Sequence, residues 1–99
     1  MAALIIAANA QAQTCVVDDN LWLQPRTGLA IRNNANIMPC ISAILAGDTM
    51  HIVHANNDDA NIHADELRQW LIALALPATR IILDKTNTTE SIRLETRHE

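Results

Sequence analysis

Aromatic residues are almost absent from this chain, which has no Phe, no Tyr and only two Trp. Proteins that bind single-stranded nucleic acid stack the bases on exposed aromatic rings. A surface poor in such rings argues against this class of partner. The core therefore has to be built from Leu, Ile, Val and Ala, which with Met, Trp and Cys make up 49% of the chain.

Basic residues and glycine are scarce as well. Seven Lys and Arg stand against eleven Asp and Glu, the net charge is −4, and the basic residues form no cluster. A nucleic-acid-binding domain needs a concentrated positive field, so we expect no nucleic-acid partner. Only two Gly are present, which argues against a glycine-rich phosphate loop, and we expect no cofactor. No apolar run approaches the roughly 20 residues that cross a bilayer, so we expect no membrane-spanning segment.

The sequence lacks a recognisable catalytic pattern. Ser42 and Ser91 have neither a nucleophile elbow nor a neighbouring base. Adjacent carboxylates occur at residues 18–19 and 58–59, within polar stretches that are typical of solvated turns. We therefore expect that the protein is not an enzyme.

The N-terminal segment allows two interpretations. Residues 1–12 (MAALIIAANAQA) are apolar and end in small residues, as the end of a secretory signal peptide does. The positive charge that usually precedes the apolar part is missing. The alternative is a buried β-strand, because a short continuous apolar run fits a central strand equally well.

The two cysteines, Cys15 and Cys40, bear on the same question. In an oxidising compartment they are candidates for one disulfide, which would stabilise the fold by about 3 kcal/mol by restricting the unfolded chain. In the cytosol they would be two small buried apolar residues. Neither belongs to a Cys-x-x-Cys pair, so we expect neither a catalytic nor a metal-binding role.

Hydrophobic periodicity predicts a single domain with alternating elements. The clearest signal is one apolar stripe formed by Leu67, Trp70, Leu71 and Leu74. The pattern predicts a short helix near residues 29–31, a helix from residue 38, a strand over residues 49–55, a helix over residues 61–76, and strands over residues 80–83 and 91–96. The fold class is α/β, an α+β sandwich of order β-α-(α)-β-α-β-β, with two main helices packed on one face of a small mixed sheet.

Trp22 has two interpretations. It lies between two Leu and just before a turn, where an indole ring can form part of a binding rim. In a protein so poor in aromatic residues, its large apolar area is more valuable in the core. The sequence therefore favours the core.

Two neighbouring segments provide a family resemblance: residues 64–71 (ADELRQWL) and residues 75–81 (ALPATRI). The stretch that contains them, residues 38–95, resembles the C-terminal peptidoglycan-binding domain of the outer-membrane protein A (OmpA-like) family. In that family an amphipathic helix ends in a similar small-apolar-Pro turn and leads into a strand through an Arg-Ile-like pair. The resemblance implies an OmpA-like domain over residues 13–99 in the periplasm of a bacterium, with the cytoplasm as the alternative location.

The same resemblance points to a ligand loop. Family members hold the diaminopimelate of peptidoglycan with an Asp and an Arg near the start of the helix. Here His63 takes the place of the Arg, and the Gly-His-Thr-Asp signature is reduced to residues 54–57 (HANN). A largely neutral imidazole does not replace a bidentate guanidinium. A site retained at this loop would use Asn56, Asn57, Asp58, Asp59 and His63.

Three functional hypotheses follow. The leading one is a small non-enzymatic exported module that binds an unknown protein or cell-envelope component. The first alternative is peptidoglycan binding at residues 56–63. The second is a small metal-binding or hydrolytic protein in which four side chains converge between a strand and a helix: His54, Asp58, Asp59 and His63. We assign no metal ligands, because His51 and His54 are predicted on opposite faces of one strand.

Overall fold

The computed structural model describes residues 12–98. The N-terminal interpretations, signal peptide or first strand, concern residues 1–12, of which residues 1–11 lie outside this range. The described chain forms the following elements: β1 (Thr14–Val16), a 3-10 helix (Asp19–Leu23), α1 (Gly28–Arg32), α2 (Met38–Leu45), β2 (Thr49–Ala55), α3 (Asp58–Ala73), a second 3-10 helix (Ala78–Arg80), β3 (Ile81–Thr86) and β4 (Arg93–Arg97).

The described strands form one four-stranded sheet in the order β1-β4-β2-β3. β4 lies antiparallel between β1 and β2, whereas β2 and β3 run parallel. The parallel pair is joined through α3, which is the crossover helix that a parallel connection requires. β1 and β3 are consequently the two edges of the sheet.

The core lies between one face of this sheet and the helices. Alternate strand residues on that face are almost completely buried, among them Met50, Ile52 and Leu94. From the helices, Ile44 and Leu67 join the same cluster, and both have no exposed surface. The predicted α+β sandwich, with helices packed on one face of a mixed sheet, is therefore confirmed. Its core is aliphatic, as the scarcity of aromatic residues requires.

The other face of the sheet is polar. Along β4, the Glu95 carboxylate accepts hydrogen bonds from the Arg93 and Arg97 guanidinium groups, at 2.7 and 3.3 Å. On the neighbouring strands, His51 Nδ1 lies 3.8 Å from Asp84 Oδ2. Arg93, Glu95 and Arg97 lie on the wet face of the antiparallel strand β4, as the alternation of Ile92, Arg93 and Leu94 predicts.

A disulfide bond joins Cys15 in β1 to Cys40 in α2. The candidate disulfide of the sequence is thus present, and both cysteines are buried. β1 is also tied to the last strand by hydrogen bonds at its start. The Thr96 N–H donates to Gln13 O at 2.9 Å, and the Gln13 N–H donates to the buried Thr96 hydroxyl oxygen at 3.0 Å. The edge strand β1 is therefore bonded to the sheet through β4 and to the helices through the disulfide.

The long helix α3 begins and ends three residues earlier than the sequence predicts. The Asn57 side chain caps its start by accepting a hydrogen bond from the Ala60 N–H at 2.9 Å. The polar residues that follow β2 therefore form the cap and the first turn of the helix. At its other end the Leu76 N–H bonds to Leu71 O, and the Ala75 N–H bonds to Ile72 O. These two bonds form a Schellman motif, which ends the helix before Pro77 is reached.

The Schellman motif gives a stability prediction. Ala75 has a φ of 72°, in the left-handed region that Gly adopts without steric cost. We expect Ala75→Gly to raise the free energy of unfolding by about 0.5–1 kcal/mol, because relief of strain outweighs the extra entropy of the unfolded chain. Urea denaturation of both proteins measures the difference. A destabilised variant would contradict this account of the helix end.

Candidate functional site

The five residues expected at the ligand loop are brought to the start of α3, but only one of them meets a partner from elsewhere in the fold. Asn57 is occupied as the helix cap, and Asn56, Asp58 and Asp59 are exposed around it. Acidic residues in a first helical turn stabilise the helix by interacting with its dipole. His63, one turn further on, is different: it is half-buried and packs against another segment.

The imidazole of His63 stacks on the indole of Trp22. The ring centroids are 4.3 Å apart and the planes differ by 2°. Trp22 comes from the first 3-10 helix (Asp19–Leu23) and is half-buried against the core. The expected core position of Trp22 is thus only partly realised, because one face of its ring covers His63. Offset-stacked rings are a favourable arrangement for aromatic side chains.

Arg26 adds a cation to this stack. Its guanidinium carbon lies 5.3 Å from the centre of the Trp22 ring, within the range of a cation–π contact. The same guanidinium donates two hydrogen bonds to the Glu66 carboxylate, from Nε to Oε2 and from Nη2 to Oε1, the second at 2.9 Å. It also donates to the carbonyl oxygens of Trp22 and Gln24 at 3.1 and 2.9 Å. Arg26 therefore fastens its own loop to α3.

Glu66 extends the cluster to the second tryptophan. The Trp70 indole N–H donates to Glu66 Oε2 at 2.9 Å. Trp70 thus bonds to Glu66 directly, and Trp22 is linked to the same carboxylate through Arg26. Both tryptophans are half-buried. We call this cluster the tryptophan surface and define it by five residues: Trp22, Arg26, His63, Glu66 and Trp70. An apolar groove of about 520 Å³ adjoins it along α3, with Ile62 and Trp70 among its walls.

The contacts of Glu66 lower its pKa. The hydrogen bond from Arg26 is the largest cause, partial burial acts in the opposite direction, and the Trp70 indole adds to the lowering. A carboxyl group whose folded-state pKa is lowered stabilises the fold above its unfolded pKa and loses this contribution as the pH falls.

This lowered pKa predicts a pH-dependent effect of Glu66→Gln. We expect the variant to be less stable than the wild type at pH 7, and the difference to shrink as the pH falls below the unfolded-state pKa of Glu, about 4.3, and through the lower folded-state pKa. Urea denaturation at several pH values measures it. A difference that stays constant over this range would show that the ion pair does not stabilise the fold.

The convergence of four metal-binding side chains is not seen. His54 is almost completely buried, and its Nδ1 lies 2.9 Å from the carbonyl oxygen of Ala55. His63 is engaged in the stack with Trp22. Within residues 12–98, no group of three or more His, Cys, Asp or Glu side chains is arranged to hold one metal ion. The metal-binding alternative therefore receives no support from this part of the chain.

Sequence patterns did not identify Arg26 and Glu66 as site residues. These residues are 40 positions apart. Glu66 lies within residues 64–71, but the resemblance gave it no role, and Arg26 belongs to no recognisable motif. The rarity of tryptophan is a signal that could have identified this site, because both Trp side chains belong to the same cluster.

None of the helices that the structure describes is both long enough and apolar enough to cross a membrane. Comparison of the chain with protein-family models, with curated proteins and with solved structures finds no match.

Proposed function

We propose that this chain is a non-enzymatic binding module of OmpA-like build that acts outside the cytoplasm, and that it binds a protein or an envelope component through the tryptophan surface. The observation that carries the proposal is the meeting of the only two tryptophans with an arginine and a histidine on one half-exposed surface. Trp and Arg are the residue types most enriched among the energetically dominant residues of interfaces.

The arrangement of the cluster supports binding. Arg26, Glu66 and Trp22 hold one another in place, so little side-chain freedom remains to be lost when a partner arrives. The adjoining groove offers apolar area, with Ile62 63% exposed. A rigid polar and aromatic cluster beside an exposed apolar patch is a typical composition for an interface.

The proposed location outside the cytoplasm and the proposed OmpA-like build are supported by different observations. The Cys15–Cys40 disulfide is compatible with an oxidising, exported location, because such bonds persist mainly outside the cytosol. The OmpA-like build is supported by the resemblance of residues 64–71 and 75–81 to that family. The signal-like N-terminal segment is consistent with the same location.

Site-specific photocrosslinking tests the binding surface. A photoreactive amino acid at Ile62, beside the tryptophan surface, is expected to crosslink a partner in the cells that make the protein. The same group at Leu45, which is also well exposed but lies at the end of α2, provides the control. Trp22→Leu, which keeps apolar bulk but removes the stack on His63, should weaken the crosslink. Equal crosslinks at both positions, or a crosslink unaffected by Trp22→Leu, would contradict the proposal.

Peptidoglycan binding is the second candidate. The observation in its favour is Arg26, whose guanidinium pairs with Glu66 in the middle of α3, about one turn after His63, where the resemblance would place an Arg. Its pairing with Glu66 leaves a cation and an anion side by side, which suits a ligand that has both a carboxylate and an ammonium group.

Cosedimentation with purified sacculi separates the two candidates. Peptidoglycan binding predicts pelleting of the wild type and loss of pelleting for Arg26→Gln. Leu23→Ala, an exposed neighbour of Trp22, is the matched control and should pellet normally. Both tryptophans lie on the tryptophan surface, so a change in their fluorescence on addition of sacculus fragments gives an independent readout. No pelleting above a control protein would exclude this candidate.

A further inference from the structure

Among the strands described over residues 12–98, none pairs with β1 on the side that faces away from β4. Antiparallel pairing aligns Thr14, Cys15 and Val16 with residues of β4. The Gln13 carbonyl and the Val17 N–H both bond toward β4, to the Thr96 N–H and the Ile92 carbonyl. Backbone groups of alternate residues point in opposite directions along such a strand. Thr14 and Val16 therefore direct their N–H and C=O groups toward the open edge.

A groove of about 570 Å³ runs along this open edge. One wall is the strand itself with its flanking residues, from Gln13 to Asp19, and the other includes Ala35, Asn36 and Pro39 at the start of α2. We call it the edge groove. The Cys15–Cys40 disulfide joins the two walls, since Cys15 lies in β1 and Cys40 follows Pro39 in α2. The disulfide thus fixes the two walls relative to each other, which lowers the conformational entropy that the groove loses when a ligand binds.

The groove has an acidic end. Asp18 and Asp19 both line it and are exposed. Asp18 is engaged as the cap of the following 3-10 helix, where its Oδ1 accepts from the Asn20 N–H at 2.9 Å. Asp19 is the second carboxylate at this end. Val16, 56% exposed, provides an apolar side chain at the end of β1.

We propose that the edge groove binds an extended peptide segment of a partner protein, which adds to the sheet beside β1 and places a Lys or Arg next to Asp19. Backbone hydrogen bonds to an exposed strand edge provide affinity in this mode of recognition, and side-chain contacts provide specificity. β1 is only three residues long, and Asn36 and Pro39 line the opposite side of the groove, which favours a short extended peptide over a second copy of this chain. The edge groove and the tryptophan surface share no residue, so each can fail its test independently.

NMR titration with designed peptides tests the proposal. The probes are acetylated and amidated peptides of about six residues, with alternating valine and threonine and a lysine at the first or last position. We expect backbone amide signals of residues 13–19 to shift, and those of the opposite edge strand β3 to stay unchanged. The same peptides with N-methylated backbone amides, or with glutamate in place of lysine, should bind more weakly.

Two substitutions distinguish backbone pairing from nonspecific contact. Val16→Pro removes the N–H that points to the open edge without removing a hydrogen bond to β4, and edge strands tolerate such a proline. We expect it to raise the peptide Kd about tenfold, the equivalent of one lost hydrogen bond. Val16→Thr keeps the N–H and is the matched control, which should raise the Kd much less than Val16→Pro does. Asp19→Asn should raise the Kd of the lysine peptides about threefold, as loss of an exposed ion pair does.

Several outcomes would overturn the proposal. One is the absence of shifts at residues 13–19 for every peptide of the panel at millimolar concentration. Another is binding that Val16→Pro leaves unchanged, provided that the thermal unfolding curve shows this variant to be folded. Shifts at residues 13–19 that depend on protein concentration without peptide would assign the groove to a second copy of the chain.

Discussion

Reduction of the Cys15–Cys40 disulfide is expected to lower the free energy of unfolding by about 3 kcal/mol, because the bond closes a loop with a sequence separation of 25 and so restricts the unfolded chain. Native domains of this size are stable by only about 5–15 kcal/mol. The loss is therefore a large share of the whole. It also frees β1, which the bond fastens to α2.

Thermal unfolding with and without a reductant measures this effect. For a domain of this size, 3 kcal/mol corresponds to a fall in Tm of roughly 15 °C. The chain has no other cysteine, so the reductant has no second target. The double variant Cys15→Ala/Cys40→Ala provides the control, since its Tm should be low and insensitive to reductant. A wild-type Tm that does not change on full reduction would contradict the structural role of the bond.

Leu67→Ala is expected to lower the free energy of unfolding by about 3 kcal/mol, through lost apolar burial and the cavity that remains. Leu67 has no exposed surface and lies on the side of α3 that packs on the sheet. Ile62→Ala removes a side chain from the exposed side of the same helix, where Ile62 is 63% exposed, and should change stability by less than about 0.5 kcal/mol. Urea denaturation of both variants gives the comparison, and similar losses in both would contradict the assigned orientation of α3.

The tryptophan surface also depends on the packing of α3 against the sheet. Glu66 precedes Leu67 on α3 and must face Arg26 for the cluster to form, and Trp70 bonds to Glu66 from one turn further along the same helix. A helix that packs loosely would separate Glu66 from Arg26. Stability and binding are therefore expected to be lost together in Leu67→Ala, whereas Trp22→Leu should affect binding more than stability.

Regular periodicity made part of the fold predictable. The strand over residues 49–55 coincides with β2, because a β-branched run lies between two groups of turn-forming residues. The stripe of Leu67 and Leu71 identified the buried side of α3. The helix boundaries were shifted at both ends, since the cap at Asn57 resembles a loop in sequence and an Ala, in place of Gly, occupies the left-handed position at Ala75.

The strand β1 and the tryptophan surface were not predictable in this way. β1 has only three residues, and its partner is β4, the last strand of the chain, so local sequence gives no periodic signal. Trp22 meets His63, and Arg26 meets Glu66, across long separations in sequence. The disulfide was among the predicted alternatives, because a chain with two cysteines allows only one intramolecular pairing.

The most direct test of a binding module that acts outside the cytoplasm is the intact mass of the protein from fractionated cells, measured with and without an alkylating agent. The account predicts that the protein is found in the envelope or periplasmic fraction, that its mass corresponds to the loss of residues 1–12, and that neither Cys15 nor Cys40 reacts. A chain in the cytosolic fraction that retains residues 1–12 and is alkylated at both cysteines would contradict it.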